Sequence, residues 1–154
     1  MSVRTEAVRM GVGMTLLAGV GLAGCASGSG GSPPTIEEAY GALSAESAVG
    51  QFLDAAKRAD YQLMSRLFGT TDGPAEEDLG RIEVEQRMFV LASLLRHDSY
   101  GLRPMGITEA EGKTRVIADM VGTRNGSVSV PFIAASSRGR WFVERILTDA
   151  LTGR

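Results

Sequence analysis

Cysteine, histidine and tryptophan each occur only once in this chain of 154 residues. A single cysteine excludes an internal disulfide and a metal site built from several cysteines, and a single histidine excludes the usual zinc site built from several histidines. Neither sign of charge is in large surplus, since 16 lysines and arginines stand against 18 aspartates and glutamates. The chain therefore lacks the basic surplus typical of nucleic-acid-binding proteins, and no cofactor or metal is predicted.

The apolar run near the N-terminus is too short to predict a membrane-spanning helix. It extends from Met10 to Ala23, fourteen residues without a charge, and it follows Arg4 and Arg9. A bilayer-spanning helix needs about 20 apolar residues. A basic region followed by a shorter apolar run is instead typical of a secretory signal peptide.

This run ends in Leu22-Ala23-Gly24-Cys25, which resembles the lipobox of bacterial lipoprotein precursors. The resemblance implies that the Cys25 thiol receives a diacylglyceryl group, that a peptidase cuts between Gly24 and Cys25, and that the new amino group is acylated. It also implies residence in the cell envelope, on the outer face of the plasma membrane. In a cell with two membranes, Ala26 in place of a retention aspartate implies the outer membrane. We expect residues 1–24 to be the signal peptide.

Composition predicts one folded domain, over residues 35–154, beyond a tether over residues 25–34. The tether consists of Cys25 followed by glycine, serine, alanine and proline, without apolar periodicity. The remaining length suits a single domain. The hydrophobic share of 44% and the charged share of 22% are ordinary for a globular chain.

Three helices are predicted in the first part of this domain, after a capping box at Thr35–Glu38. Ser44 or Ser47 is suited to cap the first substantial helix. Asp60 is suited to cap a second, short helix, and Gly69 is suited to end it at the C′ position.

The third helix is predicted from Arg81 to about His97, after an acidic loop over residues 69–80. Its apolar positions recur at helical spacing: Val84, Met88, Leu91, Ala92 and Leu95. Glu83, Glu85 and Arg87 form its polar flanks.

After residue 99 the pattern changes to that of strands, predicted at 100–107, 113–123, 127–135 and 140–147. Asn125-Gly126 between two strands predicts a type I′ turn, and Ser137–Gly139 predicts another turn. Pro131 cannot donate a backbone hydrogen bond, so it predicts an edge position or a bulge. Helices followed by antiparallel strands predict an α+β fold with the helices on one face of the sheet.

Residues 44–147 resemble the nuclear transport factor 2-like, or ketosteroid-isomerase-like, superfamily. The likeness lies in the helix pair over Ala48–Tyr61, in the run of strands, and in a closing strand with Gly139-Arg-Trp-Phe-Val143. It implies three helices packed on a curved antiparallel sheet of about four strands, forming a cone. The fold hosts enzymes and binding domains alike, so it implies no particular chemistry.

Few residues suggest catalysis. His97 is predicted as an exposed histidine at a helix end, favourable beside the negative end of the helix dipole, rather than as the partner of Asp98. Asp119 is predicted as an outward polar residue, with a general base on the sheet as the alternative. Phe132 and Trp141 are candidates to line a pocket with Asp119. We assign no catalytic residue.

The depth of any pocket depends on the strand register. A slip by one residue exchanges the faces of a strand. Small residues facing the helices (Ala118, Gly122, Ala134) would open a hollow, whereas larger ones (Ile117, Val121, Ile133) would fill it. We expect a mostly filled interior.

The sequence therefore predicts a membrane-anchored envelope lipoprotein that acts as a non-enzymatic binding or assembly module. Acyl chains on Cys25 would hold it to the membrane, and an envelope protein is a candidate partner. The alternative is a lipid-tethered carrier or enzyme that uses a pocket under the curved sheet.

Overall fold

The computed structural model describes residues 39–153, and for residues 106–110 the backbone alone. The predicted signal peptide, Cys25, the tether and the capping box at Thr35 lie outside the described residues. Residues 39–153 belong to a compact unit that spans Pro33–Arg154. The elements are α1 Ala45–Arg58, α2 Tyr61–Arg66, α3 Ala75–Leu79, α4 Arg81–Leu94, β1 Ser99–Ala110, β2 Lys113–Thr123, β3 Gly126–Ser137, β4 Arg140–Ile146 and α5 Asp149–Thr152.

The predicted caps of the first two helices are confirmed. The Ser47 N–H donates to Ser44 Oγ at 3.1 Å, and Ser44 itself has extended backbone angles. The Leu63 N–H donates to Asp60 Oδ1, also at 3.1 Å. These bonds satisfy backbone donors that have no partner within the first helical turn. Local chemistry therefore fixes where α1 and α2 begin.

The segment after α2 differs from the prediction. The helix ends at Arg66, and Gly69 does not act as its left-handed C′ residue. Gly69 instead forms a bridge with Pro74, and a Cβ at this position would overlap the Gly73 carbonyl oxygen. The residue is therefore suited to close backbone approach in a loop.

Three further differences concern helices. The predicted acidic loop contains the five-residue helix α3. The third predicted helix, here α4, ends at Leu94 and not near His97. The short helix α5 follows the sheet, where none was predicted. Four helices thus precede the sheet in the described part of the chain, one more than expected.

The four strands form one antiparallel sheet in the order β1-β2-β3-β4, as predicted for an α+β fold. The predicted bounds of β2 agree with the structure. The prediction of a type I′ turn at Asn125-Gly126 is wrong, because only Gly126 has a positive φ. A type I′ turn needs positive φ at both central residues, and Arg138 and Gly139 meet this condition between β3 and β4.

Pro131 lies in an interior strand, because β3 pairs with β2 on one side and with β4 on the other. Its carbonyl accepts from the Leu147 N–H at 2.9 Å, just beyond the end of β4. The N and O atoms of a residue in an antiparallel strand point to the same neighbour. The nitrogen of Pro131, which has no hydrogen to donate, therefore faces the point where β4 has ended. The irregularity of the β3–β4 ladder lies elsewhere, between Ile133 and Ala134.

Alternate residues of the sheet face the helices and form one core with them. Residues from β2 and β3 contribute Val116, Ala118, Met120, Val130, Phe132 and Ala134, all at most 1% exposed. Helical partners include Phe52, Leu53, Met64, Met88 and Leu95, which are fully buried. Phe68 and Leu91 pack against this core but are only partly buried. Phe142 is buried but packs beside Gly41 and Gly69.

Candidate functional site

The strand register places small residues toward the helices. Ala118 and Ala134 belong to the core and are fully buried, whereas Val121 on the other face is 47% exposed. Small residues here would open a hollow under the sheet, but large side chains from both layers occupy the same core. Phe52 of α1 and Phe132 of β3 are fully buried within it.

Asp119 lies on the opposite face and is committed to an ion pair. Arg103 Nη2 donates to Asp119 Oδ1 at 2.8 Å, and Ser129 Oγ donates to the same oxygen. Hydrogen bonds from Arg103, and then from Ser129, lower the pKa of Asp119 to about 2. A carboxylate held in its charged form is a weak base near neutral pH. The low pKa of Asp119 therefore does not suit a general base.

Asp119, Phe132 and Trp141 are not brought together in one pocket. Phe132 is fully buried on the helix-facing side of the sheet, whereas Asp119 is exposed on the other side. Trp141 lies in β4, is partly buried against the core, and pairs through its backbone with Ala42. The alternation of side chains along β2 and β3 separates these residues.

His97 is buried, contrary to the expectation of an exposed histidine at a helix end. Its exposure is 7%, Nδ1 lies 2.7 Å from the Leu95 carbonyl oxygen, and the ring meets Tyr100 edge-on at 5.4 Å. The carbonyl can only accept, so Nδ1 donates this hydrogen bond. Nε2 has no hydrogen-bond partner among the described residues. Burial follows because the helix ends at Leu94 and the chain then turns His97 inward.

His97 and Asp98 do not form a catalytic pair, because neither ring nitrogen of His97 is bonded to the Asp98 carboxylate. The Asp98 N–H donates to the Val121 carbonyl at 2.7 Å. Its carboxylate lies so close to Gly122 that a Cβ there would overlap it. Gly122 also has φ +77°, which glycine adopts readily.

Tyr100 joins β1 to α1 through its hydroxyl. That hydroxyl lies 3.0 Å from the Gly50 carbonyl oxygen and 2.9 Å from Asp54 Oδ1. Burial, followed by the hydrogen bond to Asp54, raises the pKa of Tyr100 to about 12. The hydroxyl therefore stays protonated at neutral pH and serves as a structural donor.

The outward face of α4 carries three exposed apolar side chains and no charged one. Ile82 is 72% exposed, Phe89 is 57% exposed and Val90 is 64% exposed. Gln86 and Ser93 lie between them on the same side of the helix, so this side carries no formal charge. An exposed helix face normally carries charged residues. We call these five residues the α4 outer face.

Charged residues flank the α4 outer face without entering it. Arg87 Nη2 and Glu83 Oε1 pair at 2.7 Å along one side of the helix. On the other side of the helix, Val84, Met88 and Ala92 are buried in the core. Sequence reasoning found this buried stripe but missed the outer one. The 4-3-4 spacing of residues 82, 86, 89 and 93 was the signal that could have shown it.

A groove of about 480 Å³ adjoins this face at the C-terminal end of α4. Val90, Leu94 and Leu151 supply its apolar lining, and Arg96 and Arg124 supply its charged lining. Asn125 Nδ2 donates to the carbonyls of Ala150 and Leu151 at 3.1 and 3.0 Å, which holds α5 beside the β2–β3 turn. We call this surface the α4–α5 groove.

Comparison of the chain with family models, with curated proteins and with solved structures finds no match. Among residues 39–153, no helix combines the length and apolar character needed to cross a membrane. The same residues contain no cluster of three or more histidine, cysteine or acidic side chains suited to hold a metal ion. The site must therefore be interpreted from its own geometry.

Proposed function

We propose that the protein is a lipid-anchored binding module of the cell envelope, with the α4 outer face as its docking surface. In this proposal residues 1–24 are removed and Cys25 carries the acyl chains. Two or more acyl chains anchor a protein stably, whereas one does so only marginally. A flexible chain with the length and composition of residues 26–34 would have a root-mean-square length of roughly 15–20 Å, so the proposal keeps the domain near the membrane. The fold is proposed to be the nuclear transport factor 2-like cone.

The exposure of Ile82, Phe89 and Val90 on one helix is the observation that carries this proposal. An exposed apolar patch on a folded domain is typical of an interaction site. Aromatic residues at such surfaces contribute a large share of binding energy. Phe89 also meets Tyr61 edge-on at 5.6 Å, which extends the apolar surface toward α2.

The alternative, a carrier or enzyme with a pocket under the sheet, has weaker support. The core space that such a pocket would need contains Phe52 and Phe132, both fully buried. Asp119, the carboxylate considered as a base, faces away from it. We therefore propose a surface function and not an interior one.

The anchor is tested by fractionating cells that express the wild-type chain or the Cys25→Ser variant. The proposal expects the wild-type chain in the membrane fraction with a mass that includes acyl groups. It expects Cys25→Ser to lose the acyl mass and to retain residues 1–24. An unmodified Cys25 in the wild-type chain would contradict the anchor.

The docking surface is tested by placing a benzophenone amino acid at Gln86, in the middle of the α4 outer face. Glu111, in the exposed β1–β2 turn, is the matched control position. Illumination of intact cells should give a cross-linked adduct from position 86 and none from position 111. Equal adducts at both positions, or an adduct only at 111, would contradict the assignment of this face.

A further inference from the structure

The α4 outer face has an apolar centre and carboxylates beside its N-terminal half. Glu85 lies one turn before Phe89, and Glu83 lies one turn before Arg87, with which it pairs at 2.7 Å. Glu85 has no ion-pair partner in the described part of the chain. From Met88 to Leu95 the chain has no charged residue. A partner on this face therefore meets charges only toward the two ends of the helix.

The N-terminal end of the face is acidic. α3 ends one residue before α4 begins, and the two helices together carry five carboxylates against two arginines, Arg81 and Arg87. Two cations from the sheet approach this end. Arg138 pairs with Glu77 at 3.8 Å, and Arg145 lines a depression beside α3. With these two cations included, the carboxylates remain in excess.

The C-terminal end of the face is basic. Arg96 follows the helix, Arg124 lies in the β2–β3 turn, and Lys57 lies in the last turn of α1. These cations line two depressions that share Arg96, the α4–α5 groove and a second one of about 360 Å³. The nearby carboxylates are Asp98, which lines the second depression, and Asp149, which begins α5. Cations are therefore in excess at this end.

This distribution of charge fits an inverted copy of the same face. A partner of uniform charge would be attracted at one end of α4 and repelled at the other. In a pair of chains related by a two-fold axis, the same surface of each copy contacts the other. When the two α4 helices run antiparallel, the acidic end of each copy therefore meets the basic end of the other, and this contact occurs twice. A parallel pair would instead bring like charges together.

We propose that two copies of the chain associate through their α4 outer faces, antiparallel about a two-fold axis near Phe89. This inference rests on the proposed function, because it names the partner that docks on that face. The two Phe89 rings meet at the axis. At 1.5 Å per residue, Glu85 lies about 6 Å from Phe89 in one direction along the helix, and Arg96 lies about 10 Å from it in the other. Arg96 of each copy therefore comes within side-chain reach of Glu85 of the other.

The size of the face makes the charged ends part of the contact. α4 has 14 residues, so it is about 21 Å long and about 10 Å wide, which gives an outer face of roughly 200 Å². A stable pair buries about 800 Å² on each partner. The apolar centre is too small to supply this area alone. We therefore expect a dimer that depends on the contacts at both ends of α4.

The partner is identified by expressing two differently tagged copies of the full chain in the same cells. One copy carries the benzophenone amino acid at Gln86, three residues from the axis. We expect illumination to give an adduct that carries both tags. The benzophenone amino acid at Glu111, in the exposed β1–β2 turn, should give no such adduct. The adduct with both tags reports a second copy whether or not Cys25 carries lipid.

The antiparallel arrangement is tested by exchanging the charges of Glu85 and Arg96. Glu85→Arg on both copies opposes two cations, and Arg96→Glu on both copies opposes two carboxylates, in each case twice by symmetry. Each substitution should therefore lower the yield of the two-tag adduct about ten-fold. One copy with Glu85→Arg and the other with Arg96→Glu restore both pairs of opposite charge, so the yield should recover.

Glu111→Arg is the matched control for the charge exchange. It makes the same charge change as Glu85→Arg, but in the β1–β2 turn. It should leave the yield of the two-tag adduct unchanged when both copies carry it. It should not recover the yield when its partner carries Arg96→Glu. The melting temperature of each purified full-length variant shows whether the variant remains folded.

Three outcomes would overturn the proposal. An adduct from position 86 that contains a different envelope protein, without any two-tag adduct, would refute the dimer and leave the docking surface standing. No adduct from position 86 would refute both the dimer and the docking surface. A two-tag adduct that ignores both substitutions, or that the mixed pair of folded variants does not recover, would refute the antiparallel arrangement.

Discussion

Replacing Phe132 and Phe89 by alanine, one at a time, separates the role of the core from the role of the surface. The chemical change is the same in both variants. Phe132 is fully buried between the sheet and the helices, whereas Phe89 on α4 is 57% exposed. We expect Phe132→Ala to lower the free energy of unfolding substantially. We expect Phe89→Ala to leave the domain folded but impaired in docking.

The size of the difference follows from the burial of the two rings. Loss of a fully buried phenylalanine costs about 3–5 kcal/mol, because the transfer free energy is lost and a cavity remains. Phe89 buries less than half of its side chain, which contributes about 1 kcal/mol. Its edge contact with Tyr61 adds roughly 0.5–1 kcal/mol. The free energy of unfolding should therefore fall by at least about 1–2 kcal/mol more in Phe132→Ala than in Phe89→Ala.

Urea unfolding followed by circular dichroism measures both changes. The slope against denaturant should stay constant, so that the midpoint reports stability. Cross-linking from position 86 then reports docking in the folded Phe89→Ala variant. Equal destabilisation by the two variants would refute the assignment of Phe132 to the core and of Phe89 to a surface. Unchanged cross-linking in Phe89→Ala would refute the docking role of this ring.

Three further predictions follow from local geometry. Ala59 ends α1 with φ +56°, so Ala59→Gly should raise the free energy of unfolding by about 1 kcal/mol, measured by urea unfolding. Folding lowers the pKa of Asp119 from 3.8 to about 2, so its ion pair with Arg103 stabilises the domain above pH 3.8 and this stabilisation is lost as the pH falls through about 2. In acid unfolding, Asp119→Asn should therefore lack this pH-dependent stabilisation. Gly122→Ala should lower the melting temperature because a Cβ would overlap the Asp98 carboxylate at a positive φ, whereas Gly101→Ala, in open space, should change it little.

Features set by neighbouring residues were predictable from the sequence. Ser44 and Asp60 cap helices through bonds that span three residues. The bounds of β2 follow from the turn residues on either side of it, which include Gly112 and Gly126. Val130, Phe132 and Ala134 repeat with a period of two and therefore share one face of β3, but the sequence left open whether that face meets the helices.

Features set by distant contacts were not predictable in this way. α3 is a five-residue helix whose segment reads locally as a loop of turn residues and acidic side chains. The burial of His97 depends on Tyr100, whose hydroxyl bonds to α1 about fifty residues earlier. Pro131 tolerates an interior strand only because β4 ends beside it.

The α4 outer face could not be distinguished from a buried face by composition. Ile82, Phe89 and Val90 are as apolar as the residues on the inner side of the helix. Which side is covered depends on how α1, α2 and the sheet pack against α4. The sequence alone identified the inner stripe, because its residues recur without interruption from Val84 to Leu95.

Docking through the α4 outer face is tested most directly by the rate at which a polyethylene-glycol maleimide labels Gln86→Cys in the native envelope. Glu111→Cys serves as the reference, and the wild-type chain should not react because its Cys25 thiol carries lipid. We expect slow labelling at position 86 in the envelope, fast labelling there after detergent extraction, and fast labelling at position 111 under both conditions. Equally fast labelling of both positions in the envelope, or labelling of the wild-type chain at Cys25, would contradict it.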